Sequence, residues 1–203
     1  MPSALLVDYG GVLTTDVFAS FNAFCAREGL PADTVRERFR TDAGARELLA
    51  RLETGELPAR DFEVAFAKRL GVAPEGLVAR LFGGMKPDEA MLAGVAAARR
   101  AGVRTGLLSN SWGDALSYDE ERLAALFDVV VISSEVGLRK PDPAIYELVA
   151  KRLGVPLDEI VFVDDLPGNL KAARALGMTT VLHRHDAAAT LAEAEAALGV
   201  SLR

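Results

Sequence analysis

The stretch Ala4-Leu5-Leu6-Val7-Asp8-Tyr9-Gly10-Gly11-Val12-Leu13-Thr14-Thr15 decides how the rest of the chain reads. An apolar run ends on a carboxylate, then come two glycines, a second apolar pair and two hydroxyls. A continuous apolar run is the pattern of a strand buried on both faces of a parallel sheet. Asp8 then stands at the strand's carboxyl end, where open α/β sheets carry their reactive groups. Asp8 is therefore expected to be a nucleophile on which later segments converge.

Downstream of Thr15 the periodicity turns helical. Val17, Phe18, Phe21, Phe24 and Cys25 recur at spacings of three and four, and Asp16 is placed to cap the helix. Helical faces continue through Val35 and Phe39, then Leu48, Leu49 and Leu52, then Phe62, Phe66 and Leu70, and last Leu77, Leu81 and Phe82. No β-rich run interrupts them. The spacing predicts an α-helical insertion over residues 15–86, set into an α/β domain formed by residues 1–14 and 87–203.

From Pro87 onward helix and strand alternate. Val103 to Leu108, Val129 to Ile132, Ile160 to Val163 and Thr179 to Leu182 read as short buried strands, with helical patterns between them. The last helix is predicted over Ala187 to Leu198. Gly29, Gly71, Gly102, Gly154, Gly177 and Gly199 each follow a helical pattern and read as helix stops. The alternation predicts a Rossmann-like, doubly wound parallel sheet. Right-handed crossovers put all strand carboxyl ends on one edge. Asp8, Ser109 and Asp164-Asp165 lie at such ends and should meet in one crevice.

Composition narrows the function classes. Half of the 203 residues are hydrophobic and 26% are charged, which suits a packed domain. The net charge of -6 argues against nucleic acid or an anionic membrane surface as partner. The single cysteine, Cys25, rules out an internal disulfide and a cysteine-based zinc cluster, and reads as a buried helix thiol. The N-terminal segment lacks the layout of a secretory signal, and no apolar run is long enough to span a bilayer. A cytoplasmic location is the expectation.

At the predicted crevice, each group alone has a bland reading as a cap, a turn or a surface loop. Asp164-Asp165 differs, because adjacent carboxylates after a buried strand repel each other and invite a cation. The combination is more specific. Three carboxylates, a hydroxyl and Lys140 at converging strand ends suit phosphoryl transfer. A carboxylate can attack phosphorus to give an aspartyl-phosphate. Mg²⁺ would offset the gathered negative charge, while Ser109 and Lys140 would hold phosphoryl oxygens. A receiver domain uses similar groups, but there the acidic pair precedes the phosphorylated aspartate.

These segments resemble the haloacid dehalogenase-like hydrolase superfamily. Val7-Asp8-Tyr9-Gly10-Gly11-Val12-Leu13-Thr14 is similar to its first motif, Leu107-Leu108-Ser109-Asn110 to its second, and Leu138-Arg139-Lys140-Pro141-Asp142 to its third. Val163-Asp164-Asp165-Leu166-Pro167-Gly168-Asn169 is similar to the acidic fourth motif. The helical insertion falls where this superfamily places a cap, and the subgroup it most resembles includes the phosphatase domain of soluble epoxide hydrolases. The resemblance implies a small-molecule phosphatase with Asp8 as nucleophile and also metal ligand. Asp165 would bind Mg²⁺ directly, Asp164 through water or from behind, and Gly10 through its carbonyl. Ser109 and Asn110 would contact phosphate or substrate, Lys140 would stabilise charge, and Asn169 would orient the loop. The implied substrate is a small phosphorylated metabolite, with the protein a monomer or homodimer.

One position departs from the pattern. Phosphatases of the family usually carry a second aspartate two residues after the nucleophile, as general acid and base. Here that residue is Gly10. Loss of such a group typically costs about a hundred- to ten-thousand-fold in rate. Thr14, Asp16 or a cap residue is left as a candidate substitute. Two alternatives stay open: a metal-independent 2-haloacid dehalogenase, and a catalytically weak phosphate-binding or regulatory protein. Phe18 and Phe21 read as ordinary core and Arg46 as a solvated charge. Trp112 is equally compatible with facing the crevice and with loop packing.

Overall fold

Five apolar runs assemble into a single parallel sheet. A computed structural model describes residues 2–113 and 118–202. The strands are β1 (Ala4–Val7), β2 (Arg104–Ser109), β3 (Val129–Ile132), β4 (Ile160–Asp164) and β5 (Thr179–Leu182), in the order β3-β2-β1-β4-β5. β1 lies in the middle, with Val7 in register with Leu107 on one side and Val163 on the other. The central strand therefore delivers the residue after Val7 between the ends of β2 and β4.

Successive side chains of a strand point to opposite faces, so one run feeds two cores. Leu5 and Val7 join Leu107, Val161 and Val163 beneath helices α6 (Glu89–Arg100) and α11 (Ala187–Leu198). Ala4 and Leu6 join Leu108, Val131 and Phe162 beneath α9 (Pro143–Leu153) and α10 (Pro167–Ala175). Burial on both faces explains why the strands show no polar alternation. Helix starts follow local chemistry. The Asp88 side chain accepts from Met91 N, and Asp142 accepts from Ala144 N just before Pro143 opens α9.

Between β1 and α6 lie α1 (Val17–Arg27), α2 (Thr34–Thr41), α3 (Ala43–Glu53), α4 (Ala59–Leu70) and α5 (Leu77–Phe82). They bury their own apolar cluster, which includes Phe21, Phe24, Val35, Phe62, Phe66 and Leu77. The chain enters and leaves this bundle through adjacent segments. Thr15 N donates to Lys86 O at 2.8 Å, and Asp88 N donates to Leu13 O at 2.9 Å. Two short helices, α7 (Glu120–Leu126) and α8 (Ser133–Val136), and a single 3₁₀ turn at Leu157–Glu159 complete the described elements. The sequence pattern did not signal α8, which is a single turn after β3.

No helix among the described residues is long and apolar enough to cross a membrane. Cys25 is buried and free, as its helical spacing implied.

Candidate active site

The strand ends bring together the groups that the sequence placed there. Asp8 follows β1, is 7% exposed, and is held by a backbone bond from its N–H to Val163 O at 2.9 Å. Lys140, 1% exposed, places Nζ 2.7 Å from Asp8 Oδ1 and donates to Asp164 Oδ2 at 2.8 Å. The Tyr9 N–H also donates to Asp8 Oδ1, at 2.7 Å. One buried ammonium thus links the end of β1 to the end of β4.

The two adjacent aspartates differ in their surroundings. Asp164 is fully buried and saturated. Its Oδ1 accepts from Leu166 N at 2.8 Å, and both its oxygens accept from Asn169 Nδ2 at 3.1 Å, in addition to the Lys140 bond. Asp165 is only part-buried, and among the described residues its carboxylate takes a hydrogen bond from none but its own backbone N–H. It is the carboxylate left free beside Asp8.

Gly11 makes room for it. Its φ is +77°, a conformation L side chains rarely adopt. A Cβ there would also lie 2.5 Å from Asp165 Oδ2. Thr14 secures this turn, with Oγ1 accepting from Gly11 N at 2.9 Å and donating to Thr15 O at 3.2 Å. A Cβ at Gly10 would instead meet Val17 Cγ2 at 3.3 Å, at the first turn of the helical bundle.

Ser109 ends β2, and its Oγ lies 2.9 Å from the Tyr118 hydroxyl. Asn110 grips the backbone of Lys140. Its Oδ1 accepts from Lys140 N at 2.9 Å, and its Nδ2 donates to Lys140 O at 3.0 Å. The buried carboxylate of Glu53, at the end of α3, pairs with Arg139. Asp16 serves as the α1 cap, accepting from Phe18 N at 2.7 Å.

Charge here is out of balance, with three carboxylates facing one lysine. Burial pushes Asp8 up to about 6 despite the lysine, and the Asp164 charge adds to the rise. Burial, then Asp8 and Asp164, pushes Asp165 up to about 8. Burial alone would lower the Lys140 pKa, but the paired carboxylates outweigh it and hold the ammonium charged. Burial raises Glu53 to about 7, with Arg139 pulling the other way.

These groups fit a hard divalent cation. Asp8, Asp164 and Asp165 each offer an oxygen, all within 4.8 Å of one another. Mg²⁺ takes oxygen ligands and commonly uses one or two carboxylates.

A cavity of about 240 Å³ opens above this floor. Its far wall is apolar and includes Phe18, Phe21, Phe39, Phe82, Met85 and Trp112. Phe18 and Phe21 therefore face a cavity and are not only core, which corrects the helical-spacing expectation. Periodicity reports the face that is dry without saying whether protein or empty space lies against it. Trp112 lines the cavity and also packs edge-on against Phe21 and Phe82, at 5.7 and 5.0 Å between centroids. Arg46 is exposed, with Nη1 on the carbonyls of Phe39 and Arg40.

Sequence reasoning missed Glu53 and Tyr118. Glu53 carried a signal, because it falls four residues after Leu49 on the same helix and both line the cavity. Tyr118 carried none.

The chain is similar to known proteins over most of its length. The model of haloacid dehalogenase-like hydrolases matches residues 2–177. Bifunctional epoxide hydrolase 2 of Rattus norvegicus is 38% identical over 115 residues, covering 54% of this chain and 21% of that protein. The chain thus matches about a fifth of that relative's length. A phosphatase of Mycobacterium tuberculosis is 38% identical over 88 residues, covering 42% of this chain and 41% of that protein. A mutant HAD family enzyme from Bacteroides thetaiotaomicron, crystallised with magnesium and inorganic phosphate, superposes with a TM-score of 0.70 at 22% identity, over 92% of this chain and 96% of that one. This last likeness establishes the fold.

Proposed function

The chain belongs to the haloacid dehalogenase-like hydrolases, and from that premise we propose that it is a Mg²⁺-dependent phosphatase of small phosphorylated metabolites, with Asp8 as nucleophile. The carrying observation is the pairing of Asp8 with the buried ammonium of Lys140 while Asp165 stands free beside it. The relative from Mycobacterium tuberculosis, itself a phosphatase, supports the same reading. Residues 15–86 act as a cap over the site, and residues 1–14 and 87–203 form the catalytic domain.

In this reading an Asp8 oxygen attacks phosphorus. The Asp8–phosphorus bond forms as the bond from phosphorus to the leaving oxygen breaks. Lys140 fixes the carboxylate and stabilises charge on the phosphoryl oxygens. Ser109 donates to a phosphoryl oxygen from the end of β2. Asn110 holds the Lys140 backbone, and Asp164, itself fixed by donation from Asn169, accepts from its ammonium. Mg²⁺ bound by Asp8, Asp165 and the Gly10 carbonyl would neutralise phosphoryl charge and help orient the group. Water then attacks phosphorus, releasing inorganic phosphate and restoring the Asp8 carboxylate.

Position 10 offers no general acid, Thr14 and Asp16 are engaged in the turn and the helix cap, and Glu53, the carboxylate that the helical bundle adds to the cavity lining, is paired with Arg139. The leaving group departs largely without a proton and takes it from solvent, so good leaving groups are favoured. The test is hydrolysis of an aryl phosphate with Mg²⁺. Chelation should stop it, and Asp8→Asn should lower kcat by about a thousandfold or more. Unchanged turnover in Asp8→Asn, or halide release from a 2-haloacid under chelation, would overturn the assignment.

A further inference from the structure

We propose that the substrate is the phosphate monoester of a compact hydrocarbon alcohol or phenol, its organic group seated against the aromatic wall of the cavity. This rests on the phosphatase reading above and specifies its leaving group. The cavity joins two unlike surfaces. The floor carries Asp8, Ser109, Lys140 and Asp165, while Phe18, Phe21, Phe39, Phe82, Met85 and Trp112 form the wall.

Size sets the first limit. A cavity of about 240 Å³ lies below the ~300–1,000 Å³ common among ligand pockets, which favours a compact organic group. The wall sets the second. Among the described residues Glu53 is its only charged side chain, and that carboxylate is paired with Arg139. Sugar or glycerol hydroxyls set against those rings would lose water without gaining partners, and the Asn110 and Asn169 amides that also line the cavity are bonded to Lys140 and Asp164. Among the described residues lining the cavity, Lys140 is the only cation, and the exposed Arg36 is taken up by the Phe18 ring, 4.7 Å from its centroid.

Rigidity sets the third. Trp112 packs edge-on against Phe21, Phe39, Phe62 and Phe82, with centroids 5.7, 5.8, 5.9 and 5.0 Å away. A wall braced in this way offers flat apolar surface at little ordering cost. The chemistry points the same way, because Gly10 supplies no acid and a phenol leaves more easily unprotonated than a sugar hydroxyl does.

The experiment compares kcat/KM with Mg²⁺ for phenyl, naphthyl and isopentenyl phosphate against glycerol phosphate and glucose phosphate. Isopentenyl phosphate separates fit from reactivity, since its leaving group is an ordinary alcohol. A preference of about tenfold or more for isopentenyl over glycerol phosphate is expected, because a single methylene in an apolar pocket can already be worth that much. Phe18→Asn, at a half-buried wall position, should erase most of the preference. Equal rates on both alkyl esters, or a preference unchanged in Phe18→Asn, would overturn the proposal.

Binding of phosphonates to the Asp8→Asn protein, followed by calorimetry, gives a readout independent of turnover. Benzylphosphonate should bind at least tenfold tighter than a glycerol phosphonate. If no ester is hydrolysed but this ranking holds, the phosphatase reading fails and the wall's selectivity stands. If the phosphonates bind equally, the wall does not select hydrocarbon and the proposal fails.

Discussion

At the floor of the cavity, Lys140 sits 2.7 and 2.8 Å from two carboxylates that strand geometry forces together. At the wall, four phenylalanines surround Trp112 with centroids 5.0 to 5.9 Å away, and no charge pair orders them. The floor comes from segments far apart in the chain, each at the end of a strand. Most of the wall comes from the helical bundle between β1 and α6. The floor is fixed by directional bonds between ionised groups, each of which depends on its neighbours. The wall is fixed by packing, which tolerates exchange of one apolar group for another of similar size. Chemistry is thus concentrated where substitution is costly, and selectivity where substitution is cheap.

The sharpest way to break the floor is Lys140→Met. It leaves Asp8 and Asp164 buried without their shared cation, and losing one partner of a buried ion pair typically costs about 3–5 kcal/mol. Denaturant unfolding should show that loss, and Phe18→Asn should cost clearly less. Comparable losses for the two would remove the distinction between floor and wall.

Gly10→Asp tests the boundary between them. Its Cβ would meet Val17 Cγ2 at 3.3 Å, so the helix side chain must yield by a few tenths of an ångström. An acid placed there should speed hydrolysis of an alkyl phosphate by about a hundredfold while changing an aryl phosphate far less. Equal effects on both esters would show that leaving-group protonation is not what Gly10 lacks.

The smallest expected effect is that of Gly11→Ala. The left-handed backbone costs a non-glycine residue about 1–2 kcal/mol, and the new methyl would press on Asp165 Oδ2. Thermal unfolding should fall modestly, while the Mg²⁺ concentration needed for half-maximal activity should rise. An unchanged Mg²⁺ requirement would separate Asp165 from metal binding.

The floor was legible in the sequence because strand ends and glycine stops leave strong local marks. Ile160 to Val163 announced a buried strand, and parallel topology then dictated where Asp164 and Asp165 must lie. The six glycines read as helix stops all have positive φ. The difference between the two aspartates was not legible. It depends on Asn169 and Lys140 hydrogen-bonding Asp164, while among the described residues no other side chain hydrogen-bonds Asp165. The wall was half legible. Helical spacing marked Phe18 and Phe21 as dry, yet whether a dry face meets protein or a cavity depends on how helices are placed, which periodicity does not encode. Glu53 shows the same limit, since its pairing with Arg139 joins residues far apart in the chain.

The central claim is that Asp8 carries the phosphoryl group. It is tested most directly by acid-quenching the protein during turnover of an aryl phosphate with Mg²⁺, then measuring the mass of the peptide that contains Asp8. The account predicts that this peptide gains the mass of one phosphoryl group, that borohydride reduction marks Asp8, and that Asp8→Asn abolishes both signals. Steady hydrolysis with no label on that peptide, or with the label on another residue, would contradict it.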